Sequence, residues 1–256
     1  MIFKPSELKL LLDEKADLYN NSNFIENDPI SIPHLFTNPK DIESIGFIIA
    51  TIAWGNRKNI INSGLKLVDI MGNQPHEFIM NASAKELKEV KFVHRTFNNS
   101  DLQFFILSLR NIYKSGGLEN AFGGNELKGK MNERIEIFRA NFLKLSHEKR
   151  VEKHISSPFS KSACKRINMY LRWMVRNDKR KIDFGIWKSI QMSELYLPLD
   201  VHTGRVARAL GLTNRKQDDW ITLEEIMKHL RIFDSKDPCK YDFALFGIGV
   251  NELRKG

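Results

Sequence analysis

Apolar positions recur at helical spacing along most of the chain, and no stretch alternates apolar and polar residues as a half-buried strand would. Leu8, Leu11, Leu12 and Tyr19 share one face of a helix that follows Ser6. Asp41 opens a second helix, IESIGFIIATIAW, apolar almost all round and so expected in a core, with Gly55 as its stop. A third runs to about Met71 on Ile60, Ile61, Leu65, Leu67 and Val68. Ser100 and Gln103 have the spacing of a capping box ahead of DLQFFILSLRNIYK, and Gly116-Gly117 ends that helix. Further helices are expected near 130–146 and 162–176, over LEEIMKHLRIF behind a Thr222/Glu225 box, and after Asp237-Pro238. The expected fold is all-α. Its clearest connectors are KHISSPFSKS, 153–162, and the charged stretch RNDKRK, 176–181.

Composition narrows the class. Hydrophobic residues make up 42% and charged residues 28%, the balance of a soluble globular chain, and no apolar run approaches the ~18 residues that span a bilayer. The N-terminus carries acids and no small-residue cleavage site, so it reads as a helix rather than a signal peptide. Two cysteines, Cys164 and Cys239, supply neither a disulfide framework nor a metal-ligand pattern. A reduced, cytoplasmic monomer without metal or cofactor is expected. The net charge of +9 is concentrated: between Arg139 and Lys181, 13 Lys/Arg stand against 3 Asp/Glu, so this block holds the whole excess. Such concentration points to a polyanion partner, DNA or RNA, as well as to a solvated basic surface.

The chemistry converges on LPLDVHTGRVARALGL, 197–212. Pro198 disfavours a helix before it, Asp200 suits an N-cap, and Gly211 suits the position just past the helix end. On position alone Asp200 is a cap. The segment is, however, similar to the PVDTHVxRVxxRLGL segment of the helix-hairpin-helix DNA glycosylases. That resemblance implies two helical lobes around a cleft and makes Asp200 a carboxylate that stabilises positive charge at C1′ of a flipped-out nucleotide. It implies central residues 36–190 as one lobe, with 1–35 and 191–256 as the other. Members that also cut the strand use a lysine on the preceding helix, and Lys165 in KSACKRINMYLRWMV takes that place. Ser162 would cap the helix, leaving Lys165 in its first turn beside Arg166, where the dipole disfavours a protonated amine. A phosphate-contacting or solvated lysine is the alternative. The 35 residues from Lys165 to Asp200 exceed the interval of most members and resemble the archaeal-type 8-oxoguanine branch.

That branch carries an Asp and an aromatic that hold the extruded base; Asp242 and Phe246, four apart in KYDFALFGIGV, match them, with a core role for Phe246 as the alternative. In AWGNR, 53–57, Asn56 and Arg57 are candidates to fill the gap left by a flipped base, and Trp54 lines either the pocket or the core. The hairpin departs from the family: its glycines are absent, and Ser160, Lys161 and Ser162 are the candidate phosphate contacts there, with Arg166, His202 and Arg205 beyond. Asp28 and His34 in DPISIPHLF are open to a metal-site reading or to packing of the N-terminal arm. End to end, the chain is also similar to an uncharacterised bacterial family (DUF2400-like) that shares DPIxIPH, AWGxR and PLDVHTxRVAR. The expected activity is removal of a damaged base, an oxidised purine by the branch resemblance, with strand cleavage through Lys165. The alternative is a non-catalytic nucleic-acid-binding protein on the same fold.

Overall fold

The computed structural model describes residues 3–125, 127 and 130–252. Among them the regular structure is helical, and extended pairing is limited to two isolated bridges, His94 with Phe97 and Ser162 with Asp219. No helix of the described residues is long and apolar enough to cross a membrane. The long helices are Pro5–Tyr19, Pro39–Ile52, Arg57–Ile70, Asn99–Lys114, Met131–Phe142, Lys165–Val175, Val201–Ala209 and Trp220–Phe233.

Several helix starts lie earlier than the capping patterns suggest. Asn98, not Ser100, caps Asn99–Lys114: its side chain accepts from Asp101 N–H at 3.2 Å, and Asp101 accepts from Asn98 N–H at 2.9 Å. Ser100 then falls inside the first turn and donates to Asn98 Oδ1. Asp219 likewise caps Trp220–Phe233 in place of Thr222, whose own N–H it accepts at 2.9 Å. In each case several polar residues compete for the cap, and the earlier one wins because the turn it opens is completed by donors three residues on. Pro238 opens only a short turn, Pro238–Lys240; the helix Tyr241–Gly247 and the wider coil Ile248–Glu252 follow it. The short helices Pro75–Asn81, Ala84–Glu89 and Leu118–Ala121 carry too few residues to show a period.

The chain divides into two compact units. One comprises Ile25–Leu127 and Glu133–Ser156; the other comprises Met1–Phe24, Lys128–Asn132 and Ser157–Gly256. The stretch 157–190, expected in the central lobe, is grouped with the terminal segments, as is the helix that bears Lys165. The central unit is built on aromatic packing. Phe122 stacks on Phe138 at 4.1 Å, and Phe47, Phe105 and Phe142 pack around them. Asp28 caps the turn Pro29–Ser31, and Ile32 behind it packs where Gly64 leaves room on the helix Arg57–Ile70.

In the terminal unit, Pro5–Tyr19 packs along Tyr241–Gly247. Tyr241 Oη donates to Asp13 at 2.8 Å, while Tyr19 Oη and Lys15 Nζ both donate to Glu252. Gly247 permits this approach, because a Cβ there would overlap the Tyr19 ring. Gly247→Ala should therefore destabilise the protein by about 1–3 kcal/mol despite the better helix propensity of alanine. Urea denaturation checks this; an unchanged or raised stability would show that Tyr19 moves aside freely.

Candidate active site

Asp200 is the N-cap of Val201–Ala209, and its two oxygens have separate partners. Oδ1 accepts from the N–H groups of His202 and Thr203, both at 2.9 Å. Oδ2 accepts from Lys165 Nζ at 2.9 Å. Lys165 is the first residue of its own helix, Lys165–Val175, so the pair joins two helix N-termini. Lys165 is partly open to solvent and Asp200 mostly covered. Burial alone would push the Asp200 carboxyl up; Lys165 and the Thr203 N–H outweigh it and hold the group below its ordinary value. At neutral pH the carboxylate is charged.

Behind this pair lies a buried charge network that spans 70 residues of sequence. Arg172 bonds to Asp183 through Nε at 3.1 Å and to Asp242 through Nη1. Arg176 bonds to Asp183 at 3.1 Å, to both oxygens of Asp237, and to Asp178. Both guanidinium groups lie over the Phe243 ring, at 4.6 and 5.3 Å. Asp242 is enclosed. Burial pushes its carboxyl up to about 6 against the opposing pull of Arg172; the charges on Asp200 and Asp183 add to the rise and Lys165 opposes it. The sequence reading missed Arg172, Arg176, Asp183 and Asp237. One signal was available: Lys165, Arg172 and Arg176 are spaced by seven and four residues, which places all three on one helix face.

The structure thus brings Lys165, Asp200 and Asp242 into one electrostatic cluster. Phe246 shares the Asp242 helix, but its ring packs edge-on to Phe24 at 6.2 Å. Arg205 is exposed and donates to Gly249 O at 3.3 Å, and His202 lies half-buried in the first turn after Asp200. Arg166 is half-buried. Ser162 does not cap the Lys165 helix. It accepts from Cys164 N–H at 3.1 Å, and Cys164 itself stands at the cap in a left-handed conformation, φ 49°. Lys161, exposed, is left-handed as well, φ 63°, and Ser160 closes the turn before it. Two left-handed positions therefore precede the helix without a glycine at either.

Trp54, Asn56 and Arg57 belong to the central unit. Asn56 caps Arg57–Ile70 by accepting from Asn59 N–H at 3.2 Å. Trp54 is half-buried, edge-on to His94 at 5.3 Å and stacked on His154 at 6.1 Å. Ser63 Oγ lies 2.8 Å from His94 Nδ1, and Asp101 joins Arg150 and His154. Much of the basic block is thus engaged internally: Arg139, Arg150, Arg172, Arg176 and Arg180 all have acidic partners. Lys144, Lys149, Lys153, Lys161, Lys179 and Lys181 remain exposed.

The site therefore defines an all-helical protein with a lysine–aspartate pair at two helix N-termini, backed by buried carboxylates. The family model described as "Protein of unknown function (DUF2400)" matches residues 28–251, and the chain belongs to that family. No curated protein and no solved structure matches it.

The raised Asp242 carboxyl fixes a sign. Its folded value, about 6, lies above the ordinary 3.8, so its contribution favours the folded state at low pH and is lost as pH rises through that window. Asp242→Asn cannot titrate. Its stability relative to wild type should rise by about 2–3 kcal/mol between about pH 4 and pH 7. Denaturation of both proteins across this range checks it; a flat difference would mean that Arg172 keeps Asp242 charged throughout.

Proposed function

We propose that the chain is a DNA-glycosylase-like enzyme that removes a damaged base, an oxidised purine by resemblance, and cleaves the strand through Lys165. The observation that supports this reading is the 2.9 Å contact between Lys165 Nζ and Asp200 Oδ2, at a partly open site between two helix N-termini. The Lys165 nitrogen attacks C1′, the glycosidic bond breaks, and its electron pair leaves with the base, which takes up a proton. Opening of the sugar ring then gives an iminium ion on Lys165. Lys165 must lose a proton to solvent before it attacks, while Asp200 accepts a hydrogen bond from the amine and keeps its charge. The same carboxylate, held charged, stabilises the cation that develops at C1′. Asp242 and Phe246 are candidates for base recognition; Trp54, in the central unit, is a separate candidate for that role. Asn56, Arg57, Ser160, Lys161, Ser162, Arg166, His202 and Arg205 are candidates for the strand.

A second reading keeps the nucleic acid and drops the chemistry. It is favoured by the fact that both carboxylate oxygens of Asp200 already have partners within the fold, as in a structural ion pair. Borohydride trapping separates the two. With an abasic duplex the wild type should form a covalent adduct, and Lys165→Gln should form none. Asp200→Asn is the informative companion, since asparagine caps a helix about as well as aspartate. It should stay folded and lose roughly 10²–10³-fold in base release. Binding without an adduct, and without base release from any lesion, would leave the non-catalytic reading.

A further inference from the structure

Phe159 is the one exposed Phe, Tyr or Trp among the described residues, with 66% of its surface in water. A single exposed apolar side chain is ordinary on a protein surface, so exposure alone decides nothing. The backbone beneath it is what makes this ring unusual. Pro158 is buried and fixes the turn. Ser157 Oγ accepts from Ser160 N–H at 3.3 Å, Lys161 N–H donates to Pro158 O at 2.9 Å, and Ser162 N–H donates to Ser157 O at 3.3 Å. The far side is fastened to the start of Trp220–Phe233, where Trp220 N–H donates to Lys161 O at 3.2 Å. The ring is held out on a built turn, and little ordering remains to be done on contact.

We propose that Phe159 stacks on an unpaired base of a DNA strand held at the Lys165–Asp200 site. The inference rests on the nucleic-acid reading above but not on its chemistry. Three observations favour this occupant. Exposed Lys161 stands two residues from the ring, in the same turn as Ser157 and Ser160, which places beside each other the cation and the aromatic ring by which single strands are bound. The charge of +9 attracts a polyanion and repels a second copy of this chain. Finally, five residues lie between Phe159 and Lys165, a backbone reach of at most about 21 Å. A strand advances about 3.4 Å per nucleotide, so the stacked base lies within about six nucleotides of the one at Lys165.

The test uses the full chain and a labelled DNA strand of about 15 nucleotides, as a single strand and as a blunt duplex, titrated by anisotropy over a range of salt. Phe159→Ala should weaken single-strand binding roughly 5- to 100-fold with an unchanged salt slope. It should have a smaller effect on the duplex, and Phe159→Trp should restore the affinity. Lys161→Ala should instead lower the slope by about one. Equal affinity of Phe159→Ala and wild type for the single strand would overturn the inference, as would an equal loss on strand and duplex. Salt-dependent binding by wild type upholds the nucleic-acid reading in either of these cases. A wild type that binds neither DNA overturns that reading itself, and the stacking role with it.

Discussion

The terminal unit is organised around two guanidinium groups that have been taken out of water. Arg172 and Arg176 are almost fully buried, and each is tied to carboxylates from distant parts of the chain. Desolvating such groups is unfavourable unless their geometry is well satisfied, and removing one partner of a buried pair typically costs 3–5 kcal/mol, roughly, because the other is left uncompensated. This constraint fixes the helix Lys165–Val175 against the 178–183 loop, the Pro238–Lys240 turn and the Asp242 helix. The balance is uneven: Asp178, Asp183, Asp237 and Asp242 face two arginines. Burial drives the Asp242 carboxyl toward its neutral form, and the charges on Asp200 and Asp183 add to the rise. A core selected for stability alone is better served by apolar side chains of the same volume. Perturbed carboxylates of this kind cluster at functional sites, and this one interacts with the partly open Lys165–Asp200 pair.

Local signals and long-range ones were unequally legible in the sequence. Asp200 was readable because everything that defines it is local: the proline before it, the helix after it and the glycine at the end. The helices were readable by period, and their starts less so, since Asn98 and Asp219 compete with neighbours of nearly equal capping strength. The Arg172–Asp242 bond was not readable, because no local rule pairs residues 70 apart. The basic block was legible as charge but not as disposition. Its net charge suggested one cationic surface, whereas Arg150 reaches Asp101 and Arg180 reaches Asp17, acids outside the block that a charge count along the sequence assigns elsewhere. Every lysine of the block except Lys165 is exposed.

The turn before Lys165 takes left-handed conformations at two positions that are not glycine. Glycine is favoured at left-handed positions because a Cβ there costs about 1–2 kcal/mol, not because other residues are barred. Lys161 and Cys164 take such conformations, and the surrounding bonds, from Ser157, Ser162 and Trp220, supply what holds them. The absence of glycine therefore says less about the path of the backbone than about its strain, which is stored where the chain enters the helix that carries Lys165.

The cap made by Asp200 and its bond to Lys165 rest on one electrostatic state. A helix N-terminus favours an anion, and so does Lys165; both act on the same carboxylate, one through each oxygen. Capping therefore does not compete with the chemistry proposed for Asp200: it holds the carboxylate charged and oriented, which is the state that proposal requires. The same arrangement explains why position alone is a weak guide to catalysis. Any Asp that caps a helix would show the Oδ1 geometry, and it is the Oδ2 contact with a partly exposed lysine 35 residues away that separates this one from an ordinary cap.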